Sequence, residues 1–314
     1  MMHNKKIFDF IFLFKVIAIL FITNSHMKPI YNDIFSQLAF GGAFGCALFF
    51  FCSGFTIKLN HTENFFQYIT KRFIRIYPPV WIFLIITQSY NSWKDLFWYD
   101  RYWFLQAILI FYILLYFVQK YLIKYITWII TFNLIILLSI YAYIPHQEWI
   151  IDYSKEPHHI TWIYYFCIML LGTYFRLNQN KIRITIKINP FFKFMSLLLC
   201  FLSIYSIKLF CTKNIIPINF QIAFPIGLII SCILLYILFK DVILTPRIQR
   251  IIKYISKITL ELYIVQFSCI YFAMSYPFPL RLLIAFLLIP IAAILLHYIT
   301  NILTNKIFKI GIMS

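Results

Sequence analysis

The chain has 314 residues, of which 62% are hydrophobic and only 12% are charged, with a mean hydropathy of +0.83. Soluble domains carry about a quarter charged residues, and apolar runs of bilayer-spanning length recur here from end to end. These values exclude a soluble protein and predict an all-α, polytopic membrane protein with one domain over residues 1–314. The net charge of +18 is spread over many turns, so it favours contact with membrane lipids and argues against a nucleic-acid partner.

About ten membrane-spanning helices are predicted from these runs. Most of the 28 basic residues fall in segments on the N-terminal side of the membrane, and more than half of the ten acids fall in loops on the other side. Basic residues favour the cytoplasmic side, so both termini are predicted to be cytoplasmic. The predicted spans are 8–26, 38–57, 77–92, 103–119, 125–144, 160–176, 191–210, 219–239, 258–276 and 280–304.

Two polar residues stand out in the first predicted span, Lys15 inside it and His26 at its end. A lysine near the middle of a membrane helix costs roughly 2.5–3.5 kcal/mol, so Lys15 is a candidate functional residue. Snorkelling of its amine to the interface is the structural alternative. Eleven residues make three helical turns, so the two side chains are predicted to share a face, about 16 Å apart along the axis.

The second predicted span is rich in glycine, with "GGAFGCALFFFCSGF" at residues 41–55. Gly41 and Gly45 have the spacing that lets two membrane helices approach closely. The Ser53-Gly54 pair has two interpretations, close packing or an opening where a ligand passes. Ser53 is therefore a candidate ligand contact.

An amphipathic segment, "FFQYITKRFIRIYPP" (65–79), precedes the third predicted span. Its Arg72 and Arg75 are either a cytoplasmic anchor or a clamp for an anionic ligand, because guanidinium groups suit phosphates. Pro78 and Pro79 are predicted to lie at a helix start, where a missing N–H costs little.

Most other polar or reactive groups have structural interpretations. The seven cysteines form no CxxC pair and are predicted to pack as small apolar side chains, with no metal site. The 145–162 loop holds histidines and acids, but their spacing fits a solvated loop better than a metal site. Glu261 has Lys15 or another base as a candidate partner, and His297 is expected to pack within its helix.

Six segments follow one another in a characteristic order. They are the first-span histidine with a base eleven residues before it, "LFFFCSGF" (48–55), "KRFIRIYP" (71–78), "YWFLQAILIFYIL" (102–114), "YYFCIMLLGTYF" (164–175) and "ISKITLELYIVQF" (255–267). Together they resemble the acyltransferase-3 family of bacterial integral-membrane O-acyltransferases. The resemblance extends over most of the chain.

The resemblance implies a ten-helix enzyme of the bacterial cytoplasmic membrane. Such an enzyme moves an acyl group, usually acetyl, from cytosolic acyl-CoA to a hydroxyl of a surface polysaccharide or its lipid-linked precursor. Acetyl-CoA is then the donor substrate, and no bound cofactor is expected.

Residue by residue, the match has two departures. His26 matches the first-helix histidine, whereas Lys15 stands where the family has arginine, which keeps the charge and loses the bidentate geometry. Arg72 and Arg75 match the basic pair before "YP". Gln266 stands where many members have a histidine, so no catalytic role is assigned to it.

These matches give a predicted active site. Histidine suits removal of a proton from a hydroxyl near neutral pH, so His26 is predicted to be the catalytic base or a covalent acyl carrier, with Lys15 as its electrostatic support. Arg72, Arg75 and Ser53 are predicted to contact CoA. Two other functions stay open: a glycan flippase or exporter without transferase activity, and an inactive relative kept for assembly.

The predicted topology can be tested by cysteine labelling. Segment 145–160 is net negative and segment 177–190 is net positive, so the first is expected outside and the second inside. In intact cells an impermeant maleimide should label Lys155→Cys and spare Gln179→Cys. The unchanged protein gives the background from its seven native cysteines, and the reverse pattern would contradict the predicted orientation.

Overall fold

The computed structural model describes residues 3–57, 63–90, 92–98, 102–143, 159–182, 189–213 and 215–311. Within these ranges the chain is helical and contains no β-strand, which confirms the all-α prediction. The α-helices are α1 (His3–His26), α2 (Gly42–Thr56), α3 (Phe65–Thr87), α4 (Trp103–Tyr121), α5 (Ile126–Tyr143), α6 (His159–Leu177), α7 (Pro190–Thr212), α8 (Ala223–Phe239), α9 (Pro246–Lys257), α10 (Thr259–Ala273) and α11 (Leu280–Gly311).

The helices have the length and composition of a multi-pass membrane protein. Eight of the described helices are long and apolar enough to cross a bilayer, and α9 with α10 forms a ninth if this pair, bent by 63°, acts as one span. Residues 77–87 of the predicted span 77–92 lie in α3, whose first half is too polar for this helix to count among the eight. The count of ten spans and the cytoplasmic termini stay predictions.

Helix α3 differs from its prediction at its start. It begins at Phe65, where the Asn64 side chain accepts from the Gln67 backbone N–H at 2.8 Å and the Gln67 side chain accepts from the Asn64 N–H at 3.3 Å. This capping box starts the helix more than three turns before Pro78 and Pro79, which lie inside it. The prediction of a helix start at the prolines was therefore wrong, and the amphipathic segment and the third predicted span are one helix.

The helices divide into a buried centre and a periphery. Helix α2 packs against α6, and α1 packs against α2, α9 and α10. The apolar stretches of α6 and α2 are 72% and 61% buried, whereas those of α5, α7 and α11 are 17%, 22% and 22% buried. The peripheral helices therefore present their apolar faces outward, as lipid-facing helices do.

Glycines bring α2 very close to its neighbours. A Cβ on Gly54 would lie 1.8 Å from the Met169 carbonyl oxygen of α6, and a Cβ on Gly172 would lie 2.2 Å from that of Phe51. Backbones therefore touch at the α2–α6 crossing, as small residues allow. Of the two interpretations of Ser53-Gly54, this contact supports packing for the glycine.

Gly41 and Gly45 serve different purposes. Gly45 faces α1, with the site of an added Cβ only 2.5 Å from the Ala18 carbonyl oxygen, so it is a helix-contact glycine as predicted. Gly41 is the N-cap of α2 and has a φ of 107°, in the left-handed region that favours glycine. Its role is to turn the chain into α2.

Close α2–α6 packing predicts that Gly54→Ala is strongly destabilising, because the added methyl would overlap a backbone oxygen that cannot rotate away. Gly227→Ala is the matched control, since its Cβ would meet only the Ile204 and Ile207 methyl ends, at 2.7 and 3.7 Å. In detergent, the midpoint of thermal unfolding should fall clearly further for Gly54→Ala. Equal losses would contradict backbone contact at this crossing.

Candidate active site

Two cavities lie along one face of α1. The first, of about 440 Å³ and here called the cationic cavity, is lined by Lys15, Ser53, Lys71, Arg72, Arg75 and Tyr112 among others. The second, of about 220 Å³ and here called the histidine cavity, is lined by Ser25, His26, Phe40, Trp103, Tyr165, Phe201, Tyr205 and Lys208 among others. The structure therefore places four of the five predicted site residues in one cavity and His26 in the other.

The basic residues of the cationic cavity differ in whether a neighbouring group offsets their positive charge. Lys71 pairs with Glu63 at 2.7 Å. Arg72 donates to the Tyr68 carbonyl at 3.3 Å and stacks 4.1 Å above the Tyr68 ring. In the part of the chain that the structure describes, neither Lys15 nor Arg75 forms an ion pair, although they are near enough to repel each other. This arrangement favours an anionic ligand.

Ser53 and Tyr112 form the polar floor of the cationic cavity. Tyr112 lies near the Ser53 side chain and within electrostatic range of Arg72 and Arg75. Ser53 thus lies where it was predicted, beside a tyrosine that the sequence did not single out. The only signal for Tyr112 was its place in the segment 102–114.

His26 is the last residue of α1 and lies against α10. Its ring centroid is 4.4 Å from that of Phe267 and 6.3 Å from that of Tyr263. The fully buried Gln266 side chain lies near the imidazole. Within the described chain, neither its amide group nor His26 Nδ1 has a hydrogen-bond partner, so the amide is chemically able to bond to the imidazole as donor or acceptor. The residue that departs from the family pattern is therefore a direct neighbour of the predicted base.

The loop after α1 is fixed by hydrogen bonds next to His26. The Asn24 side-chain amide donates to the carbonyls of Leu38 and Phe40, at 2.7 and 3.0 Å, and the Tyr31 hydroxyl donates to the Asn24 oxygen at 2.7 Å. These bonds join the end of α1 to the start of α2. They hold His26 at a fixed distance from the second helix.

Arg281 holds the same loop from the opposite side. Its guanidinium donates to the carbonyls of Ile30 and Tyr31, at 2.7 and 3.1 Å. It follows the sequence "SYPFPL", which forms a turn between α10 and α11. The α10–α11 turn is thus part of the framework around His26.

Aromatic side chains form two walls of the histidine cavity. On one, Phe40 stacks on Tyr205 and Phe201, with centroid distances of 3.8 and 4.6 Å. On the other, the rings of Trp103 and Tyr165 lie 5.9 Å apart. Their faces give the cavity a broad apolar lining, with His26 as a titratable group at its edge.

Glu261 pairs with His297 and not with Lys15. The Glu261 carboxylate lies 2.6 Å from His297 Nδ1 and is only 7% exposed. The partner is therefore a histidine on α11, so His297 contacts a carboxylate in addition to packing in its helix. The 145–162 loop that held the other acids and histidines lies almost wholly outside the described residues.

All seven cysteines are free, and six of them are buried. This agrees with their prediction as small packing residues. Cys46 lines the histidine cavity but lies among apolar side chains.

One of the comparisons with known proteins identifies the family of the chain. The family model of an acyltransferase domain, acyltransferase-3, matches residues 8–302. Neither a curated protein nor a solved structure matches the chain significantly. The match covers both cavities and every predicted site residue. The chain therefore belongs to the acyltransferase-3 family and is a multi-pass membrane acyltransferase.

Proposed function

We propose that the protein transfers an acyl group, usually acetyl, from acyl-CoA to a hydroxyl of a surface glycan or of its lipid-linked precursor. The observation that carries this proposal is the pair of cavities on one face of α1. One cavity offers uncompensated cations, and the other offers a histidine between aromatic walls. A donor with phosphates suits the first, and a sugar hydroxyl suits the second.

The donor would bind with its phosphates in the cationic cavity. Arg75 and Lys15 have no carboxylate partner among the described residues, so the phosphates of CoA would supply the missing negative charge. Arg72 is already oriented by the Tyr68 carbonyl and ring. The long pantetheine arm then places the thioester away from the phosphates, toward His26.

Transfer needs one proton to move at the acceptor. The hydroxyl oxygen attacks the thioester carbonyl, a C–O bond forms, the C–S bond breaks and CoA leaves as the thiolate. His26 would take the hydroxyl proton and return it to the thiolate, which needs an imidazole that is neutral at the start. Gln266 would hold the ring orientation through a hydrogen bond.

The acceptor would enter the histidine cavity. Sugar rings present apolar C–H faces, which pack well on aromatic side chains such as Phe40 and Trp103. Ser25 and Lys208 lie on the same lining as polar groups that sugar hydroxyls would contact. A glycan exported across the bacterial cytoplasmic membrane would meet His26 from the side opposite to CoA.

Helix α9 supports a position in the cytoplasmic leaflet. It carries four bases and no acid, Gln249 ties it to Asp9 of α1 at 2.5 Å, and its exposed apolar side chains are Ile248, Ile251 and Tyr254. Such a helix suits the interface with anionic lipids. Membrane lipids are therefore proposed as a second partner.

Acyl-CoA consumption separates this proposal from transport. Isolated membranes that contain the protein should release CoA from acetyl-CoA and acetylate the glycan, detected by mass spectrometry. Membranes without the protein provide the baseline. Glycan export without any loss of acetyl-CoA would favour the flippase interpretation.

Arg72→Gln with Arg75→Gln should weaken acetyl-CoA binding by about a hundredfold or more, because hydrogen bonds to charged groups contribute about 1.5–3 kcal/mol each. The matched control is Arg247→Gln with Arg250→Gln, which has the same spacing on α9 but lines neither cavity. Binding is measured with radiolabelled acetyl-CoA on purified protein. Unchanged affinity in the first pair would leave these arginines as orientation signals.

His26→Asn should lower transfer at least a hundredfold, because a general base contributes about 10²–10⁴-fold. Acetyl-CoA affinity should stay close to that of the unchanged protein, since His26 does not line the cationic cavity. Both are compared at equal abundance in the membrane. Full glycan acetylation by this variant would contradict the assignment of His26 as the base.

A further inference from the structure

The two cavities are separated by a partition of two side chains, Ile22 and Tyr263. Of the residues that the structure describes, only these two line both cavities. They are 2% and 5% exposed. Along α1, Ile22 lies about 10 Å beyond Lys15 and about 6 Å before His26. Anything that passes between the cavities along this face of α1 must therefore pass these side chains.

Both side chains of the partition pack against neighbouring residues. Ile22 packs directly on Gly45 of α2, where an added Cβ would lie 2.8 Å from its Cγ1 atom. The Tyr263 ring packs against Phe104 and Tyr102, with centroid distances of 5.7 and 5.8 Å. Close-packed side chains of this kind have little room to move apart, so the width of the passage is set by their shapes.

We propose that Ile22 and Tyr263 select the acyl group of the donor by its width. The inference rests on the proposed function, because it takes acyl-CoA as the donor. When the phosphates stay in the cationic cavity, the acyl group is the leading end of the CoA arm. It has to enter between Ile22 and Tyr263 before the thioester carbonyl can meet a hydroxyl at His26.

This geometry favours narrow, short acyl groups. An unbranched acetyl group requires a smaller displacement of either side chain than a branched acyl group does. Beyond the partition, the histidine cavity of about 220 Å³ has to hold both the acyl group and the attacking part of the acceptor. Added acyl bulk therefore competes with the acceptor for the same space.

The test is a competition between acetyl-CoA and isobutyryl-CoA in membranes that hold the native glycan, with both esters quantified by mass spectrometry. Ile22→Ala should raise the isobutyryl-to-acetyl ratio about tenfold or more, since one methylene in an apolar pocket changes selectivity about 10–200-fold. Ile22→Val should give a smaller rise. Ile19→Ala is the matched control, because Ile19 is equally buried on the same helix, at 2% exposure, and lines neither cavity.

The outcomes separate this inference from the proposed function. An unchanged ratio in the Ile22 variants, with acetyl transfer intact, overturns the selection by width alone. An equal rise in Ile19→Ala also overturns it, because the effect would then come from general loosening. If the unchanged protein consumes neither thioester, the proposed function fails and the inference with it. Should Ile22→Ala fail to insert, Ile22→Val decides, since it removes only one methyl group.

Discussion

The repulsion between Lys15 and Arg75 is the constraint on which the rest of the site depends. Both cations face one cavity, and within the described chain no carboxylate pairs with either. A cation inside a membrane helix is costly, and a second like charge nearby adds to the cost unless an anion binds. A bound anion would offset both costs. Lys15 is about 16 Å from His26 along the helix, where even at an effective dielectric constant of 20 two charges interact by only about 1 kcal/mol. Its position therefore favours action on the donor over support of the base.

Helix α1 determines how the cationic cavity and the histidine cavity are arranged relative to each other. Lys15, Ile22 and His26 recur at spacings of seven and four, so one face carries a cation, a partition and a base in order. The Asn24 and Arg281 hydrogen bonds fix the His26 end of this face, and Gly45 lets α2 support its middle. A rigid face of this kind would keep the phosphates of the proposed donor apart from the hydroxyl of the proposed acceptor.

The sequence alone predicted those features of the fold and the site that depend on helical spacing within one segment. Helical periodicity placed Lys15 and His26 on one face, and it placed Arg72 and Arg75 on one side of α3. The prediction failed where two signals for a helix start lie in one segment. The prolines indicated a start at residue 78, but the Asn64–Gln67 capping box starts the helix before them. The residues that complete the cavities from other helices could not be predicted. Tyr112 and Tyr263 look like ordinary aromatic residues of apolar spans, and only the packing of the helices places them in the cavity linings.

The orientation of Glu261 on α10 keeps its carboxylate away from the lysine of the cationic cavity. One of only ten acids, it lies two residues before Tyr263 on α10, so the two side chains point about 200° apart. That turn directs the carboxylate toward α11, where His297 lies 2.6 Å away. Arg75 lines a further cavity, of about 290 Å³, together with Glu261 and His297, yet no ion pair joins it to Glu261. If Glu261 faced Lys15 instead, the carboxylate would neutralise the charge that a donor has to meet. Because Glu261 contacts His297 on the far side of α10, Lys15 and Arg75 keep no carboxylate partner within the described chain, which suits the anionic donor proposed above.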